Sequence, residues 1–385
     1  MLMLVPVLLC AAAQAPADYE FEGAISRPVL ENYLARSMTV LGLLHEADDF
    51  DENLRMIENT GAKFLGRAIY RWGREQQIVP LVEQAAPLVR KAHARDPERV
   101  FQAAVFEIVT TKVNEVAVPP HVFEAFGRAP EERAFRYADM LYPDGHRVDH
   151  WREGASVPDM SRLETRMWFF YACSAYIGIG CEAIHFGQVE IMDGRDPSHA
   201  HWRDMLGKVR AYAAEHARRG MVLCDAHVPS GGIAHGGKLM FDLHSFPLRI
   251  DEVPGEPHKG VLKMGYLDSI FGRSKGGITP SGWSCGSLPF IVELDNFEAS
   301  GRGGENVGGH WIWGWDEISW FANQPEDYRN EWLEYAWDWV RAHDPNGFLQ
   351  MPGLRGGYRC NTRSEAAPNG FNQEETIKRI WAGKQ

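Results

Sequence analysis

The sequence predicts an α/β fold, a (β/α)8 TIM barrel with long loops at its C-terminal face. Three observations carry that expectation. Apolar strand-like runs alternate with longer helical runs along the chain, the pattern of parallel α/β architecture. The strand-like runs come to eight, the number that closes such a barrel. Two of these runs carry polar groups toward their C-terminal ends, where the mouth of a barrel lies. One is 181–192, Cys-Glu-Ala-Ile-His-Phe-Gly-Gln-Val-Glu-Ile-Met, in which Glu182, His185, Gln188 and Glu190 interrupt an apolar stretch. The other is 288–297, Leu-Pro-Phe-Ile-Val-Glu-Leu-Asp-Asn-Phe, with Glu293 and Asp295 on one face. A buried carboxylate or imidazole costs several kcal/mol unless it is paired, so such groups need a reason to be there.

In chain order, 27–35 is a helix entered through Pro28, whose fixed φ suits the first turn. Residues 37–44 form the first strand, and 51–60 a helix that stops at Gly61. The second strand is 63–72. A long helix, 75–94, follows, with Pro80 and Pro87 positioned to kink or break it. The third strand, 99–111, is rich in Val, Phe and Ile. From 112 to 160 prolines punctuate a connection with only short helical pieces, and a connection of that length in an ordered enzyme is usually functional. A helix over 162–176 leads to the fourth strand, 181–190. There a period of two puts Glu182, Gln188 and Glu190 on one face and His185 on the other. A helix over 198–218 ends at Gly220, and 221–228 is the fifth strand. Residues 230–237 read as a flexible loop and 239–248 as the sixth strand. A Gly-rich loop, 251–287, precedes the seventh strand, 288–296. A Trp-rich loop, a helix over 326–343, a strand over 347–352 and a helix over 373–382 complete the plan.

Composition narrows the partners. A formal charge of −12 argues against a nucleic-acid or anionic-membrane partner, either of which needs a basic face. No stretch after the N-terminus has the ~18 uninterrupted apolar residues of a membrane span. Residues 1–15 read as a signal peptide, an apolar core followed by Ala11-Ala12-Ala13-Gln14-Ala15, which makes the protein secreted or periplasmic. Residues 16–385 then form a single barrel domain. The five cysteines left after Cys10 are odd in number and irregularly spaced, so they are no disulfide framework; Cys285 and Cys360, in loops, remain a possible pair. No phosphate-binding glycine motif and no Gly-x-Ser-x-Gly elbow is present, and no cofactor is expected.

The chemistry these residues suit is two-carboxylate hydrolysis of a glycosidic bond, with one carboxyl giving a proton and the other acting as nucleophile or base. Glu190 and Glu293, toward the ends of the fourth and seventh strands, are the catalytic candidates. Glu107, on the third strand, is a weaker one, and Glu182, at the start of its strand, suits a structural salt bridge at the barrel bottom. Two strands repeat a pattern, Asp225-Ala226-His227 and Asp242-Leu243-His244, with each Asp and His on a common face. As substrate-binding groups these four hydrogen-bond sugar hydroxyls; as metal ligands, Asp and His from neighbouring strands surround a divalent ion, although no diagnostic ligand spacing is present. Arg67 and Arg71, on the second strand, suit holding a carboxylate or an acidic substrate group. Trp311, Trp313 and Trp315 lie in a glycine-flanked loop, and their flat rings suit the CH faces of a sugar.

Placed this way, the chain resembles the retaining barrel glycosidases of clan A. The resemblance implies that Glu190 is the acid/base and Glu293 the nucleophile. Val189 stands where those enzymes usually have Asn, and Gln188 is the neighbouring amide. The expected function is therefore a secreted glycoside hydrolase acting on a poly- or oligosaccharide. Two alternatives stay open: a metal-dependent sugar isomerase, epimerase or hydrolase using the Asp/His strands, and a non-catalytic carbohydrate-binding barrel.

Overall fold

The structure, a computed structural model, describes residues 17–193, 196–296 and 311–383. The leader, with Cys10, and His310 of the Trp-rich loop lie outside the described residues.

The fold is mixed α/β around a curled, parallel-rich sheet of ten strands, a TIM-barrel-like arrangement. The strands are β1 (Ser37–Val40), β2 (Phe64–Arg71), β3 (Val100–Val105), β4 (Ala183–Gln188), β5 (Leu223–His227), β6 (His244–Pro247), β7 (Phe290–Glu293), β8 (Gly347–Leu349), β9 (Met351–Arg355) and β10 (Tyr358–Arg359). They run in the order β8-β7-β6-β5-β4-β3-β2-β1-β9-β10. All neighbours pair parallel except β9 and β10. Only Gln350 separates β8, which pairs with β7, from β9, which pairs with β1. Its backbone N–H donates to Val292 O at 2.8 Å. The two sides of the sheet are thus joined through one residue, which is why the sheet must curl.

The helices are α1 (Arg27–Leu34), α2 (Phe50–Thr60), α3 (Ile78–Arg95), α4 (Leu163–Gly178), α5 (Ala200–His216), α6 (Glu326–His343) and α7 (Glu374–Gly383), with shorter turns between. Local chemistry sets their ends. Asp49 caps α2 by accepting from Glu52 N at 3.0 Å, and Gly61 ends it at φ +79°, a conformation that costs other residues a Cβ clash. Pro87 does not break α3, which runs on through it.

One small helix decides which end of the sheet is open. Val29, Leu30, Tyr33 and Leu34 of α1 pack against Phe64, Val100, Ala183, Leu223, Ile291 and Phe348, the residues at or near the start of six strands. Burying these side chains stabilises by about 1.5–3 kcal/mol for each large one and plugs the N-terminal end. Glu182 sits at this end, paired with Arg218 and with Arg219 at 2.9 Å, the structural role expected of it. The open end is the C-terminal one.

Several elements differ from expectation. The fourth strand is shorter than 181–190 and the sixth begins only at His244. The loop 230–237 is partly ordered: Ala234–His235 turns back on Lys238–Leu239 as a hairpin. Its two turn residues, Gly236 and Gly237, have φ +56° and +76°, both positive as a two-residue hairpin turn of the primed type needs. Cys285 and Cys360 are free thiols. Among the described residues, no helix is long and apolar enough to cross a membrane.

Candidate active site

Nearly every strand sends a polar side chain to the centre of the curled sheet. Arg67, on β2, is the hub. It is buried, and its backbone sits at φ +55° beside a register shift in the β2–β3 pairing. A non-glycine residue held there is strained, and such strain persists only where surrounding contacts fix it. Those contacts are present. The guanidinium pairs with Glu293 through Nη2 and with Asp295 Oδ1 through Nη1 at 3.3 Å. Nη2 also donates to His227 Nε2 at 2.9 Å and stands 3.5 Å from His185 Nε2. A guanidinium can only donate, so in this contact Nε2 of His227 is the acceptor.

A second layer holds the first. Gln102 of β3 accepts from Arg67 N at 3.0 Å and donates to Asp225 Oδ1 at 2.6 Å. His185 Nδ1 is 2.7 Å from the other Asp225 oxygen, and Ser245 of β6 is 3.2 Å from the same nitrogen. Thr39 of β1 donates to Glu293 Oε2 at 2.9 Å. Arg355, at the end of β9, pairs with Asp295.

The electrostatics follow from this packing. Burial opposes ionisation of Glu293, but Arg67, His227 and Arg355 together outweigh it and hold the carboxyl at about 2. Burial opposes ionisation of Asp295 too, and Arg355 and Arg67 together hold it well below the usual carboxylate range. Asp225 goes the other way, pushed up to about 7 by burial against weaker help from Ser245 and Arg67. His185 is driven well below its ordinary value by burial and by Arg67.

Above this network lies a cleft of two compartments. One, of about 420 Å³, is lined by Phe246, Pro247, Arg249, Asp268, Trp311 and Glu317, among others. The other, of about 530 Å³, is lined by Tyr70, Trp72, Phe106, Glu107, Trp151 and Arg355 together with Arg67. Both share Gln188, His227, Asp295 and Asn296. Asp295 therefore stands where the compartments meet.

Glu293 and Asp295 differ in access. The Glu293 side chain is 3% exposed and lines neither compartment, whereas that of Asp295 is 15% exposed and lines both. Glu190 is not on the strand: β4 ends at Gln188, and Glu190 lies in the helical turn Val189–Met192, half-buried, accepting from Ser230 N at 3.2 Å. The reason is a bulge. Gly187 takes φ +60° and the β4–β5 register shifts between His185 and Gln188. The period of two is broken there, so His185 reaches the central network and Gln188 reaches the cleft.

The two Asp-x-His pairs part company. Asp225 and His227 enter the network. Asp242 precedes β6 and points to helix α5, where Arg210 Nη2 stands 3.2 Å away and Cys224 N donates at 3.0 Å. His244 bonds Ser274 at 3.0 Å, and burial lowers it to about 3. The shared face expected of Asp242 and His244 fails because the strand starts at His244. Among the described residues no group of three or more His, Cys, Asp or Glu side chains is placed to hold a metal ion. Of the tryptophans, Trp311 lines the smaller compartment. Trp313 donates through Nε1 to Lys259 O at 2.8 Å, and it and Trp315 pack against the core and line neither compartment. Arg71 lies beside Glu46 at 3.8 Å.

Sequence reasoning missed Trp72, Trp151, Glu317, Arg249 and Arg355 as cleft residues. Trp151 was findable, since it belongs to the long 112–160 connection. The ends of that excursion are clamped by Val109–Thr110 pairing with Ala155–Ser156. Trp151 Nε1 donates to Glu107 O at 3.0 Å, fixing the ring in the cleft.

No protein-family model matches the chain, and no curated protein matches it in sequence. Among solved structures, the debranching enzyme from Nostoc punctiforme overlaps 55% of this chain and 50% of its own at 12% identity, with a TM-score of 0.33. The trehalose-6-phosphate hydrolase of Bacillus licheniformis overlaps 68% of this chain and 57% of its own at 9% identity, with a TM-score of 0.34. The matched part thus spans only half to three-fifths of those proteins' lengths.

Proposed function

We propose that this chain is a secreted glycoside hydrolase, built as a single (β/α)8 barrel in which 347–355 serves as the eighth strand. The observation that carries the reading is Asp295, an ionised carboxylate at the junction of two cleft compartments with sugar-compatible aromatic walls. Glycosidic hydrolysis by two carboxyls needs one ionised and one protonated group. At the end of β7, Asp295 faces substrate as nucleophile or base, and Glu293 beneath it keeps Arg67 in place. The resemblance to clan A gave that role to Glu293; Asp295 lines both compartments and Glu293 neither, which favours Asp295 for the contact itself.

The proton donor has two candidates. Glu190 is the one the resemblance implies, at the end of the β4 segment. Glu317 lines the same compartment as Asp295, and its Oε2 accepts from Asp295 N at 2.9 Å. Burial pushes Glu317 up to about 7 in spite of Arg249 beside it. Two carboxyls whose surroundings push them apart are the pattern of an acid and its partner, which favours Glu317. Separation of the two carboxyls would set retention or inversion. The test is release of reducing ends from a polysaccharide and aryl-glycoside panel, with and without chelator. Chelator-resistant release that is lost in Asp295→Asn supports the reading. Release abolished by chelator would transfer it to a metal enzyme, and saturable sugar binding with no product to a binding barrel.

A further inference from the structure

The larger compartment has a chemistry of its own. Trp72 and Trp151 stand with ring centroids 5.1 Å apart at 69°, and Trp72 and Phe106 at 5.3 Å and 61°. Tyr70 joins Phe106 at 5.8 Å. These edge-to-face contacts hold the rings as a wall rather than as independent side chains. All four rings are only partly buried. Keeping apolar surface in a wet cleft is unfavourable unless something covers it. The 112–160 connection is also ordered at an entropic cost, clamped at both ends, and delivers Trp151 to this wall. Arg355 lines the same compartment, and its buried Nε and Nη1 have no hydrogen-bond partner among the described residues.

The opposite compartment is different: Arg249, Asp268 and Glu317 give it a charged lining. The two share a floor at Gln188, His227, Asp295 and Asn296, so one elongated ligand can occupy both.

We propose that the Tyr70–Trp72–Phe106–Trp151 compartment is a second sugar subsite, stacking a pyranose of a glycan that continues past Asp295 into the charged compartment. The substrate class is then an oligosaccharide or longer chain cleaved with sugar units on both sides of the reacting bond. This rests on the glycoside hydrolase reading, and it deepens it.

The experiment compares kcat/KM on cellohexaose, xylohexaose, laminarihexaose and maltohexaose with that on the matching 4-nitrophenyl monoglycosides. In Trp151→Ala and Trp72→Ala the hexasaccharide-to-monoglycoside ratio is expected to fall about tenfold, the size of one stacking contact. It should largely return in Trp151→Phe, which keeps a ring and guards against misfolding. An unchanged ratio in folded Trp151→Ala overturns the subsite and leaves the hydrolase reading standing. If the wild type releases nothing from any probe, the hydrolase reading fails, and hexasaccharide binding followed by tryptophan fluorescence decides the subsite alone. Binding weakened by Trp151→Ala supports it; no binding, or binding unaffected by the change, overturns it.

Discussion

Arg67 and Glu293 form a closed ion pair under the cleft floor, one member on β2 and the other on β7. Neither partner is more than 4% exposed. The pair therefore works through what it positions. The same guanidinium reaches Asp295, His227 and His185, so a single side chain on β2 sets the orientation of groups from three other strands, β4, β5 and β7.

Removing Arg67 leaves the Glu293 and Asp295 carboxylates without their shared cation in a desolvated site. Arg67→Ala is expected to destabilise the fold by about 3–5 kcal/mol, the usual cost of orphaning a buried charge. Urea unfolding measures it. Adding Glu293→Gln to that variant should recover part of the loss, because the charge left unpaired is gone. Additive losses in the double variant would show that the pair is not coupled.

The pH profile of hydrolysis separates the two candidate proton donors. Glu317 is raised to about 7, so its donor form is present below that pH and is lost as pH rises through it. Asp295 is held low, so its ionised form persists well into the acid range. Activity is expected to fall above pH of about 7. Glu317→Gln should abolish that alkaline limb and lower kcat by about 10²–10⁴ on aryl glycosides with poor leaving groups. With a dinitrophenolate leaving group, which needs little protonation, the loss should shrink. The same signature in Glu190→Gln, with Glu317→Gln near wild type, would return the role to Glu190.

The strand-and-helix alternation was legible because apolar period and helix stops are local. Gly61 ended its helix as read, and helix 326–343 has the predicted bounds. Register was less legible. A bulge at Gly187 is one residue, yet the strand ends just after it and Glu190 falls in a helical turn, so Gln188 and Glu190 no longer share a strand face, and no period count contains this. The late start of β6 detached Asp242 from His244 in the same way. The Trp72–Trp151 wall joins residues 79 positions apart, and contacts at that separation are set by tertiary packing alone.

Asp242 belongs to the packing beneath helix α5 rather than to the cleft. Its Oδ2 accepts from Cys224 N and neighbours Arg210, both away from the cleft. Asp242→Ala should cost about 1–3 kcal/mol of stability by leaving the buried Cys224 N without its acceptor. In the protein that still folds, kcat/KM should stay at the wild-type value. A loss of activity without a loss of stability would put Asp242 back among the substrate-binding groups.

Gly187 is required for two separable reasons, and a double-variant cycle distinguishes them. Its φ of +60° is strained for any residue with a Cβ, by about 1–2 kcal/mol. A Cβ there would also lie 1.9 Å from Glu107 Oε2, the oxygen that accepts from Gln188 N at 2.9 Å. Gly187→Ala must therefore push Glu107 away and break its hold on Gln188, a residue of both compartments. In the Glu107→Ala background the severe clash disappears, leaving the backbone part and a milder contact with Phe106 Cδ1 at 3.1 Å. Thermal unfolding of the four proteins should show Gly187→Ala costing less in that background than in the wild type. Equal costs would mean that φ alone selects glycine, and that Glu107 does not govern the bulge that aims Gln188 into the cleft.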